Sequence, residues 1–204
     1  MARIALVDPA TAPPATQAAY DEIRSLWGGQ VFTDWQPLGH SPQILASLAR
    51  LFYNLQGEHS GSITDVRDKE LVAIRTSHMN GCEYCLGHNV DLGQAVGLSM
   101  EVILAAIAPD YAESPLLTDS QKALVAWTSA ITRNTAAADD AALAALREHY
   151  SDAEIAELTL MSCMFNGWNR FTHAFHIQLE AGPDREGIRA CLLRATPVEV
   201  PVRE

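Results

Sequence analysis

The sequence predicts an all-α protein, and three observations carry that prediction. Apolar residues recur at spacings of three and four across residues 42–55 and 152–180, the period of one helix face. Ala and Leu are abundant while β-branched runs are short, which favours helix over strand. Helix-start signals stand where those periods begin: Ser41-Pro42, Thr118-x-x-Gln121 and Ser151-x-x-Glu154.

Residues 1–12 read as an irregular arm. Pro13-Pro14 opens a helix, Ala18, Ala19, Ile23, Leu26 and Trp27 form its apolar side, and Gly28-Gly29 stop it. A loop leads to Ser41 as N-cap and Pro42 at the first helical position. The stripe Ile44, Leu45, Leu48, Leu51, Phe52 and Leu55 follows, until Gly57 to Gly61 break it. The next helix starts near Thr64, carries Val66, Leu71, Ile74 and Met79, and ends at the Asn80-Gly81 turn. Its partner begins at Cys82 and ends near Gly97, and Ser99 caps a short apolar helix that Pro109 terminates. Thr118 opens a helix through Ile131, and an Ala-rich helix covers residues 139–149.

The longest helix runs from Ser151 to Glu180, with Ile155, Leu158, Met161, Phe165, Trp168, Phe171/Thr172, Phe175 and Leu179 as its stripe. Gly167 within it costs about 1 kcal/mol relative to Ala, which predicts close packing of another element there. Glu157-Leu158 followed by Asn166-Gly167 echoes Glu70-Leu71 followed by Asn80-Gly81, one residue out of register, as a duplicated hairpin would. The segment from Pro197 reads as a frayed tail.

At 204 residues the chain is expected to form a single domain, 1–204, with its own core. A net charge of −11 opposes binding to nucleic acid or an anionic membrane. No run approaches the ~18 apolar residues of a spanning helix, and residues 102–108, the longest, read as a buried helix. The N-terminal MARIALVDPATAPP lacks the apolar core of a signal peptide, and four cysteines are too few for a secreted disulfide scaffold. The cytoplasm is the expected compartment.

Chemistry concentrates between Glu70 and Gly93, in the hairpin at 64–97. On a helix from residue 82, at ~100° per residue, Cys82, Cys85 and Asn89 share one face and His88 flanks Cys85. Cα atoms three apart on a helix fall in the ~4.4–6.8 Å window of a disulfide, so the two cysteines can form a reversible bridge. Unpaired N–H groups at a helix start favour thiolate over thiol, which makes Cys82 the more acidic of the two. A thiolate attacking a peroxide becomes a sulfenic acid, with which a neighbouring thiol condenses. Glu70, His78 and His88 suit the accompanying proton transfers, and Ser77 shares the face of Glu70. Two other readings of Cys82 and Cys85 stand beside this one: a zinc site with His78 and His88, and a pair of inert core thiols. His173 and His176 read as a helix-surface pair, Cys163 and Cys191 as packing residues, and Trp168 and Phe171 as core.

Glu70-x(11)-Cys82-Glu83-Tyr84-Cys85, preceded by Asn80-Gly81, closely resembles the signature of the alkylhydroperoxidase D-like, carboxymuconolactone decarboxylase superfamily. His40-Ser41-Pro42, Gly97-Leu98-Ser99, Phe165-Asn166 and Asn169-Arg170 are similar, in the right order, to its peroxidase-related branch, so that residues 12–182 are covered. The resemblance implies an all-α multi-helix bundle with a redox helical hairpin, assembling as a homo-oligomer: trimer, hexamer or dimer. It implies peroxidase activity on hydrogen peroxide or organic hydroperoxides, with Cys85 attacking, Cys82 resolving and Glu70 in the proton relay. No bound cofactor is then expected, and the disulfide would be returned to dithiol by a thioredoxin-like or lipoyl-bearing reductant. The chain departs from the family at two relay positions. Asn89 stands four residues after the second cysteine, where the family carries histidine, and Tyr84 lies between the cysteines, where some members carry another. Asn cannot shuttle a proton, so His88 or His78 would have to substitute. The alternatives are a carboxymuconolactone decarboxylase-like enzyme, against which the cysteine pair argues, and a non-enzymatic redox-sensing oligomer.

Overall fold

The computed structural model describes residues 2–56 and 62–180, and all regular structure among them is helical. The α-helices in chain order are α1 Pro14–Leu26, α2 Pro42–Gln56, α3 Val66–Met79, α4 Glu83–Ala95, α5 Met100–Ile107, α6 Asp119–Thr132, α7 Asp140–Arg147 and α8 Asp152–Phe175. Tighter 3₁₀ segments cover Thr33–His40, Tyr111–Glu113 and Ala136–Ala138. Local chemistry sets the helix starts. Asp65 accepts the Arg67 N–H, Ser99 accepts that of Val102, and both Thr118 and Ser151 form complete capping boxes.

Helix α3 is the hub, packed by α4, α6 and α8, so nearly every side chain from Val66 to Ser77 is buried. Its polar residues need partners there, and most have them. Arg75 donates to Ser129 Oγ at 2.9 Å and to the Ala106 carbonyl at 3.1 Å while its guanidinium lies over the Tyr111 ring. Helices α1 and α2 pair along one side and carry the N-terminal arm. Tyr20 donates its hydroxyl to the Val7 carbonyl at 2.8 Å, and His40 contacts the Ala5 carbonyl, so the arm is tied down although irregular. Gly39 lies under that seam. A Cβ there would stand 2.5 Å from Tyr20 Oη and 2.6 Å from Val7 Cβ. Gly39→Ala is therefore expected to lower stability by about 1–3 kcal/mol, read as a lower urea midpoint at unchanged slope.

The structure differs from the sequence reading at several points. In α2 the buried face is Leu45, Ala49, Phe52 and Leu55, whereas Ile44 and Leu51 are 60% and 41% exposed. The apolar arc of α2 is wider than the core it meets. The expected loop before Ser41 is the 3₁₀ segment Thr33–His40. Helix α8 ends at Phe175, because His176 takes a left-handed conformation (φ 52°) and turns residues 177–180 away from the helix axis. Gly167 lies exposed with nothing within 4 Å of its would-be Cβ, so no described element packs against it. Asn166-Gly167 sits mid-helix, not in a turn, and the hairpin is not duplicated. Cys163 is exposed and packs no core, and Cys191 and the segment from Pro197 lie outside the described residues.

Candidate active site at the Cys82–Cys85 hairpin

Gly81, at φ 66°, reverses the chain after α3 and sets Cys82 as the N-cap of α4. Cys82 Sγ accepts the Cys85 N–H at 3.3 Å and lies 2.7 Å from Cys85 Sγ, both residues being buried. The Thr172 hydroxyl on α8 stands 3.2 Å from the first sulfur and 3.6 Å from the second. These contacts divide the pair electrostatically. The Cys85 thiol donates to Cys82 and, although burial opposes, Thr172, the backbone N–H and nearby His173 help hold the Cys82 thiol down to about 6. Cys85 is pushed the other way, since its proton is held against Cys82 and it is itself buried. At neutral pH the pair therefore carries one proton between two sulfurs. Acidity favours Cys82, as the helix-start argument expected.

Access favours the other sulfur. A cavity of about 70 Å³ is lined by Cys85, and Cys82 is absent from its wall. Its lining is aromatic: Trp27, Phe32, Trp35, Phe52, Tyr84, Phe165 and Trp168 surround Asp34, Gln56, His88 and Asn89. The Trp27 indole N–H is buried without a partner among the described residues, a donor left unclaimed at this wall. One water needs about 10–15 Å³ on this measure, so the cavity suits a small molecule of a few heavy atoms.

A polar chain runs along the same wall. Trp168 Nε1 donates to Asp34 Oδ2 at 2.7 Å, and the Tyr84 hydroxyl lies 3.3 Å from Asp34 Oδ1. Tyr84 donates to Glu180 Oε1 at 2.9 Å, and Glu180 Oε2 meets His88 Nε2 at 2.8 Å. Burial raises the Asp34 carboxyl to about 6, against the pull of His88 and the Trp168 hydrogen bond. Burial pushes Glu180 up as well, but the His88 and Thr33 hydrogen bonds and the His88 charge outweigh it and leave Glu180 at about 2.

The structure brings together only part of the expected set. Cys82, Cys85, Tyr84, His88 and Asn89 cluster on α4, with Asn89 donating to the Cys85 carbonyl at 2.6 Å. Asn89 thus caps backbone, an amide role. His78 is exposed near the end of α3 and does not line the cavity. Glu70 is wholly buried, with neither carboxyl oxygen hydrogen-bonded among the described residues, and burial raises it to about 8. Ser77 accepts from Asn169 Nδ2, away from Glu70. No group of three metal-ligating side chains gathers among the described residues. Sequence reading missed Asp34, Thr172 and Glu180, and assigned Trp168 to packing alone. A lone Asp between Phe32 and Trp35, and a Thr on the apolar stripe of α8, were the available signals.

Comparison with known proteins agrees with this fold. Residues 42–113 match the carboxymuconolactone decarboxylase family. A solved structure from Agrobacterium tumefaciens, described as of unknown function and as an antioxidant-defence candidate of the alkylhydroperoxidase D type, is 30% identical with a TM-score of 0.65. The match covers 72% of this chain and 97% of that one. The alkylhydroperoxidase D core of a peroxidase-related protein from Ralstonia eutropha JMP134 superposes with a TM-score of 0.71 at 18% identity, covering 88% of this chain and 92% of that one. A variant of the debrominase Bmp8, in complex with 2,3,4-tribromopyrrole, gives 0.73 at 19% identity over 96% and 100% of the two chains. With its helical hairpin, its cysteine pair and a 30%-identical relative spanned almost end to end, the chain belongs to the alkylhydroperoxidase D-like, carboxymuconolactone decarboxylase superfamily.

Proposed function

We propose that the protein is a thiol peroxidase, reducing hydrogen peroxide or small organic hydroperoxides through a Cys82/Cys85 dithiol–disulfide cycle. The observation that carries this is the paired sulfurs, 2.7 Å apart, one of them on the wall of a small cavity. The shared proton passes from Cys85 to Cys82, leaving a Cys85 thiolate beside a Cys82 thiol. The thiolate attacks one peroxide oxygen, the O–O bond breaks, and Cys85 becomes a sulfenic acid as an alkoxide departs and takes a proton. Cys82 then displaces hydroxide from the Cys85 sulfur, its own proton leaving with it as water, and the disulfide forms. A dithiol, thioredoxin-like or lipoyl-bearing, restores both thiols. Glu70, protonated at neutral pH, serves as a buried proton store, and His88 as the site's exchangeable base.

Free thiols are counted by alkylation and mass spectrometry before and after one equivalent of hydrogen peroxide. Loss of two thiols, mapped to a Cys82–Cys85 disulfide and restored by dithiothreitol, is expected; an unchanged pair defeats the reading. The aromatic lining supports a second reading, reductive dehalogenation of a small ring, in line with the debrominase that shares the fold. There the two thiols would supply two electrons, the ring carbon would gain a proton and bromide would leave. Bromide release from a bromopyrrole, without thiol loss to hydroperoxide, would favour it.

A further inference from the structure

The peroxidase cycle needs a proton at the departing oxygen, and Asn89 stands where the family carries its relay histidine, with Tyr84 where some members carry another. Asn89 is committed to the Cys85 carbonyl. Of the proton-carrying groups that line the cavity beside Cys85, His88 is engaged by Glu180 and Tyr84 by two carboxyl groups, whereas Asp34, contributed by the 3₁₀ segment Thr33–His40 some fifty residues upstream, brings a carboxyl to the wall.

We propose that Asp34 is the general acid of the site, handing its proton to the alkoxide released when Cys85 attacks a hydroperoxide, and that Tyr84, Glu180 and His88 pass the replacement proton inward. This rests on the peroxidase reading above. The geometry supports each part. Asp34 is buried, its Oδ2 is fixed by the 2.7 Å bond from Trp168, and its Oδ1 faces the Tyr84 hydroxyl. That hydroxyl lies between two carboxyl groups, 3.3 Å from Asp34 and 2.9 Å from Glu180, and has one hydrogen to give. When Asp34 is protonated the hydrogen points to Glu180; when Asp34 has donated, it can swing back. His88 closes the chain on Glu180 at 2.8 Å and is the most exposed of its members.

The Cys85 thiolate and ROOH give Cys85–SOH and RO⁻; Asp34–COOH and RO⁻ give Asp34–COO⁻ and ROH; His88, through Glu180 and Tyr84, reprotonates Asp34. The titratable groups that face Asp34 are Tyr84, Cys85 and His88 from α4 and Glu180 from the segment after α8. Helices α2 and α8 present Phe52, Gln56 and Trp168 to the same wall, and none of these titrates there.

A general acid matters in proportion to how poor the leaving group is. tert-Butyl hydroperoxide expels an alkoxide that must be protonated, whereas peracetic acid expels acetate, which needs no proton. The test therefore compares single-turnover oxidation of wild type and Asp34→Asn by the two oxidants, followed by quenched alkylation. Asp34→Asn is expected to slow the tert-butyl reaction by roughly 10²-fold or more while leaving the peracetic reaction within a few-fold of wild type. An unchanged tert-butyl rate, or an equal loss with both oxidants, overturns the proposal. A wild-type measurement guards against a variant that fails to fold. The ratio of the tert-butyl to the peracetic rate is expected to fall as pH rises through about 6, where Asp34 loses its proton. The thiolate's own titration cancels in that ratio, and a ratio flat from pH 5 to 7 also overturns the role. Wild type that loses no thiol to either oxidant defeats the peroxidase reading itself, a result distinct from all of these.

Discussion

Replacing Cys85 by Ser is expected to lower hydroperoxide turnover by roughly a thousandfold or more, since the group that attacks cannot be replaced by the remaining sulfur without rebuilding the cavity wall. Cys82→Ser should behave differently. Its Cys85 still meets the oxidant but has no thiol to close on, so one sulfenic acid accumulates, trapped by dimedone and located by peptide mass spectrometry. The same variant removes the thiolate that holds the Cys85 proton, and Cys85 should titrate nearer an ordinary thiol. Stopped turnover in both variants with dimedone only on Cys85 of Cys82→Ser fits the assignment. A sulfenic acid on Cys82 in Cys85→Ser would reverse it, making acidity the deciding property in place of access.

Glu70→Gln is expected to raise stability and lower turnover together. Burial lifts the Glu70 carboxyl from 4.5 to about 8. Below about 4.5 the group is protonated in both folded and unfolded chains, and its titration costs nothing. Between about 4.5 and 8 the unfolded chain releases the proton while the folded chain keeps it, so stability falls with rising pH; above about 8 the fall stops. At pH 7 the accumulated loss is on the order of 3 kcal/mol at 1.36 kcal/mol per unit. A neutral Gln removes that pH dependence, so the denaturant midpoint of the variant should exceed wild type at pH 7 and match it near pH 4. Equal midpoints at both pH values would show that Glu70 reaches solvent and ionises normally. A stability gain with unchanged turnover would leave Glu70 without a part in the chemistry, whereas the expected tenfold or greater fall fits a proton store.

Most helices were legible because caps and periodicity are local: Thr118 with Gln121 and Ser151 with Glu154 announce themselves within four residues. The apolar pattern overruns the end of helix α8 because Leu179 continues it, while the left-handed turn at His176 leaves no strong signal in a histidine. Cys82, Cys85 and His88 were legible as a site for the same local reason. Asp34, Thr172 and Glu180 were not, because a single sequence gives no measure of proximity between positions 50 to 134 residues apart. The exposure of Gly167 and Cys163 was equally hidden, since a helix does not state which of its faces a neighbour will cover.

The left-handed turn at His176 has a consequence for how the protein is made. By turning residues 177–180 back, it sets Glu180 against His88 and Tyr84, and Trp168 and Thr172 of α8 reach the same site from 80 and more residues beyond it. A ribosome adds such a length in something like ten seconds. Over that interval the nascent chain holds two thiols without a cavity, without the hydroxyl of Thr172 and without a carboxylate for His88. On the proposed reading, the reactivity of the sulfurs is thus coupled to the folding of α8, the last helix among the described residues.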